Sequence, residues 1–266
     1  MGWLLRREEG AGQGVPENPR QAAGLILAAA RAGDLDAQAL LGQILLDGHG
    51  IERDPALALR WFRIAAARGH AMAANMAGRC LEHGWGCAAD PAQAARHYNV
   101  AAARGLDWGL YNLANLLATG RGVERDEARA FACYRQAAEQ GHAKSMNLVG
   151  RYLEEGRVGP PDPVAAREWY RRSAEAGDFR GQFSHAVTLL ADGHLDEALA
   201  WLERALALGN LNFLRVARGA LLTCAEPRLT ALTLAYHARA AALGDDSDRE
   251  AERRAWAQVA EGGIPA

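Results

Sequence analysis

The sequence predicts an all-α fold, a solenoid of stacked helix–turn–helix repeats. Three observations carry this. Gly33, Gly69, Gly105, Gly141 and Gly177 follow one another at intervals of 36 residues, a period typical of stacked helical units. Large apolar residues between them recur at helical spacing, as in Leu41, Ile44 and Leu45, which gives one buried stripe per helix. No segment reads as a strand.

Residues 1–17 hold Gly10, Gly12, Gly14 and Pro16 with little apolar content and are expected to be a loose tail. The Gly-x-Gly-x-Gly there follows no strand, so it gives no support to a phosphate loop. A helical pattern runs from Asn18 to Arg31, with Asn18 as cap and Pro19 in the first turn. It reads as the second helix of a repeat whose first half is missing, a capping half-repeat over 18–32. Four full repeats follow, at 33–68, 69–104, 105–140 and 141–176.

Each element of these repeats has a physical reason. Small residues at Gly42, Gly78, Ala114 and Gly150 let a neighbouring helix come close. The turns Gly48-His49-Gly50, Gly84-Trp85-Gly86 and Gly120-Arg121-Gly122 supply positive φ. Asp54, Asp90 and Asp162 precede Pro55, Pro91 and Pro163, the cap and first position of a second helix. Gly69 and its equivalents stop that helix.

The array then diverges. Repeat 177–208 turns at Asp192-Gly193-His194-Leu195, and repeat 209–244 turns at Cys224-Ala225-Glu226-Pro227. Ser247-Asp248-Arg249-Glu250 reads as a capping box opening a last helix to about Val259. Region 245–266 is thus a capping helix and tail over the repeat array 18–244.

Composition bounds the function. Half of the 266 residues are hydrophobic, ample for a continuous core, and the net charge is −2. That balance favours neither nucleic acid nor an anionic membrane as partner. No apolar run is long enough to span a membrane. The N-terminal Trp3–Leu5 run is too short for a secretory signal, so a cytoplasmic location is expected. Cys80, Cys87, Cys133 and Cys224 form no CxxC pair and no zinc spacing. They are expected as reduced thiols, Cys133 and Cys224 in the core.

The recurring elements Ala…Leu-Gly, Gly-x-Gly-Ile/Val, Asp-Pro, Trp-Phe/Tyr, Ala-Ala and Gly resemble the Sel1-like repeat, a relative of the tetratricopeptide repeat. The resemblance is close over residues 33–177 and loose over 178–244. It implies a right-handed α-superhelix with a concave groove, acting as an adaptor or scaffold. A cysteine-rich branch of that family, described as penicillin-binding or β-lactamase-like, carries a cysteine pair in each repeat. This chain does not, so that activity is not carried over.

In such stacks the first helix of each repeat lines the groove. Positions 39, 43 and 47 share one helical face. Carried through the period, they give the rows Ala39, Asn75, Tyr111, Asn147; Gln43, Arg79, Asn115, Arg151; and Asp47, His83, Thr119, Glu155. Asn and Gln both donate and accept, which suits an extended peptide backbone. Arg79 and Arg151 can take carboxylates bidentately, and Tyr111 adds a rigid flat contact. The expected partner-binding groove is therefore Gln43, Asn75, Arg79, Tyr111, Asn115, Asn147 and Arg151. The alternative is that this is only the solvated face of the helices.

Catalysis finds little support. Glu154-Glu155 and Asp245-Asp246 read as helix ends and loops, and Ser173, Ser184 and His185 sit inside repeat helices. No HExxH motif is present, and no metal or cofactor is expected. The reading is a non-enzymatic adaptor binding a protein or peptide. The alternatives are an amide hydrolase akin to the cysteine-rich branch and a regulatory scaffold working through its convex face.

Overall fold

The computed structural model of the protein describes residues 18–223 and 226–260. The tail expected at 1–17, the Cys224-Ala225 turn, the core placement of Cys224 and the final residues 261–266 lie outside the described residues.

Among the described residues there are fourteen α-helices, one 3₁₀ turn and no strand, as the all-α expectation requires. They divide into two compact units, one up to Cys133 and one from Tyr134 onward. The first unit holds α1 (Pro19–Arg31), α2 (Leu35–Asp47), α3 (Pro55–Ala67), α4 (Ala71–His83), α5 (Pro91–Ala103) and α6 (Asp107–Thr119). The unit boundary falls within α7 (Glu127–Glu139). The second unit holds α8 (Ala143–Glu154), α9 (Pro163–Glu175), α10 (Phe179–Ala191), α11 (Leu195–Leu208), α12 (Leu211–Leu222), the 3₁₀ turn Pro227–Leu229, α13 (Thr230–Leu243) and α14 (Asp246–Ala260).

Helix starts follow the sequence. Asp54, Asp90 and Asp162 accept hydrogen bonds from the backbone N–H of Leu57, Gln93 and Ala165 at 2.9 Å each, and proline occupies the next position. Two further caps are histidines. Nδ1 of His70 accepts from the N–H of Ala73 at 3.0 Å, and Nδ1 of His142 from that of Ser145 at 3.3 Å. Each satisfies an N–H that the helix geometry leaves without an internal partner.

Two contacts that need glycine hold the array, one within a helix pair and one between successive repeats. Gly42, Gly78 and Gly150 face the rings of Phe62, Tyr98 and Tyr170 on the second helix of their own pair. A Cβ added at any of them would lie 2.6 Å from a ring carbon. Gly50 and Gly86 have φ of +76° and +74°, and a Cβ there would meet the backbone of Pro19 and Pro55, respectively. The glycine turn of one repeat thus rests on the first turn of the preceding second helix.

Polar ties reinforce these contacts. The hydroxyl of Tyr98 donates to Glu82 at 2.5 Å and that of Tyr170 to Glu154 at 2.6 Å. Burial raises the pKa of both phenols, so the hydroxyls stay neutral donors. Glu82 also pairs with Arg121 in the next glycine turn. Arg68 and Arg104 reach back one repeat to donate to the carbonyls of Gly33 and Gly69 at 2.7 Å.

Leu41, Leu45, Leu59, Phe62, Met76 and Cys80 are core residues of the first unit. In the second, Phe213 sits among Phe179, Phe183 and Tyr236, over Leu202, Leu214 and Leu221.

The last helix begins two residues earlier than the Ser247 capping box implied. Asp245 is the cap: its carboxylate accepts from the N–H of Ser247 at 3.0 Å. Asp248 reaches back to accept from the N–H of Asp245 at 3.2 Å. The side chain of Asp248 is wholly buried and meets Arg215 at 2.6 Å and Arg218 at 2.9 Å. The guanidinium of Arg215 is the main cause that holds its carboxyl down at about 2.

Two outcomes test this packing. Gly78→Ala gains up to about 1 kcal/mol of helix propensity but overpacks against Tyr98, an effect of about 1–3 kcal/mol. A net loss of stability is expected in urea unfolding, and an unchanged midpoint would mean that the ring moves aside freely. Asp248→Asn breaks the buried pair and is expected to cost about 3 kcal/mol. Because the native pKa of Asp248 is depressed, its contribution is complete above the unfolded value near 3.8 and is lost as pH falls toward about 2. Between pH 4 and 2 the wild type should therefore lose stability relative to Asp248→Asn, measured by thermal melts across that range.

Candidate functional site

The polar rows expected to line a groove lie on α2, α4 and α6 of the first unit and on α8 of the second. Residues four apart on a helix share a face, so each helix presents its own short polar ladder. The structure places the seven candidate residues at different depths.

In the first unit, Gln43 on α2 is half-buried and donates through Nε2 to Asp47 one turn later, at 2.7 Å. Asn75 on α4 is only 3% exposed, and its Oδ1 accepts from Nδ2 of Asn112 on α6 at 2.9 Å. It is a floor residue that links two repeats. Tyr111 and Asn115 on α6 are half-buried. Trp108 meets the Tyr111 ring edge-on, with centroids 5.9 Å apart.

Arg79, one turn beyond Asn75, is half-buried and forms no ion pair with a described residue. Its guanidinium lies 5.2 Å from the centroid of Trp85, and Nη1 lies 3.7 Å from the sulfur of Met76. His83 stacks on the other part of this cluster, 4.9 Å from the Trp85 ring. Burial, and then the charge of Arg79, lower the pKa of His83, so it is held toward its neutral form. The result is one cation on an aromatic support with its charge uncompensated by a carboxylate. That is a ready partner for an acidic group.

The second unit presents a different version. Asn147 on α8 is 4% exposed, and its Oδ1 has no hydrogen-bond partner. The residue equivalent to Asn112 is Ser184, which does not reach it. Arg151 is exposed and already pairs with Glu155 at 3.2 Å. Any acidic ligand at Arg151 must compete with that carboxylate.

Sequence reasoning missed Asn112, Trp108 and the joint role of Trp85 and Arg79. Asn112 lies one residue outside the 36-residue register of the chosen rows, which is why the periodic reading passed over it. Cys80 and Cys87 are unpaired. The Cys87 thiol points to the carbonyl of Cys80 at 3.7 Å, and burial pushes the Cys80 thiol up to about 12. Cys80 is thus an inert core thiol. Among the described residues, no three His, Cys, Asp or Glu side chains are grouped to hold a metal ion. No described helix is long and apolar enough to cross a membrane.

The two buried asparagines predict opposite responses. Asn112→Ala leaves Oδ1 of Asn75 buried without a donor and should cost about 1–3 kcal/mol. Asn147→Ala removes a carbonyl that is already unpartnered and should be neutral or stabilising. Chemical denaturation of the two variants beside wild type decides this, and equal losses would contradict it.

The comparisons with known proteins agree with this architecture. A protective antigen of uropathogenic Escherichia coli with an SLR fold is 26% identical, with a TM-score of 0.69, over 86% of this chain. The chain spans half the length of that protein. A Sel1 repeat protein from Oxalobacter formigenes is 25% identical, with a TM-score of 0.65, over 75% of this chain and 87% of its own. An immunity protein from Pseudomonas aeruginosa, 14% identical with a TM-score of 0.51 over 85% of this chain and 82% of its own, shares the fold. No curated protein matches the chain. The Sel1 repeat model matches residues 7–34, 35–70, 71–106, 109–142, 143–178 and 192–210. Sel1 repeats are typically non-catalytic, protein-interaction repeats. With most of its length matched by that model, and with helix pairs stacked in the same period, the chain belongs to the Sel1 repeat family.

Proposed function

We propose that the protein is a non-enzymatic adaptor that holds a peptide segment of a partner protein along the first helices of its repeats. The observation that carries this reading is Arg79: a half-buried cation, supported by Trp85, with no carboxylate of its own. A charge kept out of ion pairing on a face of Asn, Gln and Tyr suits recognition more than stability.

In this reading Arg79 takes an acidic side chain or chain-terminal carboxylate. Gln43 and Asn115 meet peptide N–H and C=O groups, Asn75 supports them from below through its bond to Asn112, and Tyr111 supplies a flat apolar contact. The second unit carries its own version of the face, in which Asn147 is a buried support and Arg151 is available once it leaves Glu155. The unpaired thiols of Cys80, Cys87 and Cys133 suit a reducing compartment, and we place the protein in the cytoplasm.

The test is affinity capture from lysate of the source organism with the full chain, wild type beside Arg79→Glu and Arg151→Glu. Circular dichroism confirms that each variant stays helical. A partner held by wild type and lost by Arg79→Glu, with a smaller loss for Arg151→Glu, is the expected result. A partner retained equally by all three would move the interface off these helices and overturn the site.

A further inference from the structure

The last helix pair breaks the rule that spaces the array. In earlier pairs a small residue on the first helix faces a large side chain on the second, as Gly78 faces Tyr98 and Gly150 faces Tyr170. Counted from the helix caps, the same two positions hold Ala186 and Leu202 in α10 and α11. In the last pair they hold Arg218 on α12 and His237 on α13. Two basic side chains thus stand where the array otherwise places a small residue and a large apolar or phenolic one.

His237 is only 3% exposed, and neither ring nitrogen has a hydrogen-bond partner among the described residues. Arg218 is mostly buried. Its Nη2 meets Asp248 of α14 at 2.9 Å, while its Nη1 is buried without a partner. Burial, and then the charge of Arg218, lower the pKa of His237.

The other groups at this corner are already engaged. α14 brings Asp245 and Asp248, and both pair with Arg215 of α12. On α13 itself the buried polar neighbour one turn earlier is Thr233, which does not titrate. Tyr236 donates to the carbonyl of Leu202 on α11 at 2.7 Å, and burial raises its pKa, so it stays neutral.

We propose that α14 is an acid-released lid on the last helix pair, docked while His237 is neutral and set free when it is protonated. A protonated imidazole places a second buried cation beside Arg218, whose one carboxylate is shared with Arg215. A buried charge without a partner is costly, and access of water relieves it. α14 is the element that opens at least cost, because the residues it buries are Asp248 and Ala255. Its release uncovers Arg215 and Arg218. The proposal does not rest on the Arg79 face.

The sign follows from the direction of the shift. The folded pKa lies below the ordinary value of 6.5. Docking is therefore complete above that value and weakens as pH falls below it, by up to about tenfold in the opening constant per pH unit. Asp248 titrates in a lower window, so the two effects separate.

The test is hydrogen exchange of the full chain, read by mass spectrometry at about pH 7 and about pH 5.5, with labelling times scaled for the intrinsic exchange rate. Wild-type α14 is expected to lose protection by about fivefold or more at the lower pH. His237→Gln, which cannot be protonated there, should hold the same protection at both. An equal loss in both proteins, or a wild-type loss spread evenly over α11 to α13, overturns the proposal. The ring-proton NMR titration of His237 in the wild type decides independently of whether the variant folds. Protonation that coincides with loss of α14 protection supports the lid, and a protonated His237 under a still protected α14 overturns it.

Discussion

The fold depends on an aromatic ring laid on a glycine. In three helix pairs the second helix sends Phe62, Tyr98 or Tyr170 against a first-helix residue with no side chain, and a single added carbon would overlap the ring. Interiors are close-packed, so this contact fixes how near the two helices lie. The glycine turn then rests on the backbone of the preceding second helix, and the spacing passes from one repeat to the next.

The tyrosine version of the contact also couples packing to charge. Tyr98 and Tyr170 are buried rings whose hydroxyls end on Glu82 and Glu154. Glu82 goes on to Arg121 in the next turn, so one carboxylate joins two successive repeats. The arginines that reach Gly33 and Gly69 do similar work at the helix ends. Most arginines of the chain with known partners are spent on such ties or on pairs one helical turn away. Against that background Arg79 is a half-buried guanidinium laid on Trp85 and in no ion pair with a described residue, a position that Arg172 on Trp169 shares in the second unit.

The C-terminal helix is held by a different principle. It has few buried residues, Asp248 and Ala255 among them, and its attachment rests on one buried carboxylate between two guanidinium groups. Removing a charge from water is costly, and the geometry offsets this with two arginines and a backbone N–H. The same Asp248 closes the helix start. A capping motif in the sequence was legible there, but its register was not: Ser247, Asp248 and Asp245 all have cap chemistry, and only the pull of Arg215 and Arg218 selects Asp245 as the cap.

The sequence by itself determined the helices, their order and most of their ends. These are local matters of period, proline, capping side chain and positive φ, and a 36-residue repeat states them several times over. It also located the polar ladder of Gln43, Asn75, Arg79, Tyr111, Asn115, Asn147 and Arg151 on first helices. What those residues do was decided by tertiary contact. Asn75 and Asn147 occupy equivalent positions, yet one is bonded and the other is not, because the residue facing each comes from the next repeat. Arg79 and Arg151 are equivalent too, yet one rests on Trp85 and the other pairs with Glu155. A period can say that two residues are alike in position; only packing brings up the neighbour that sets their chemistry.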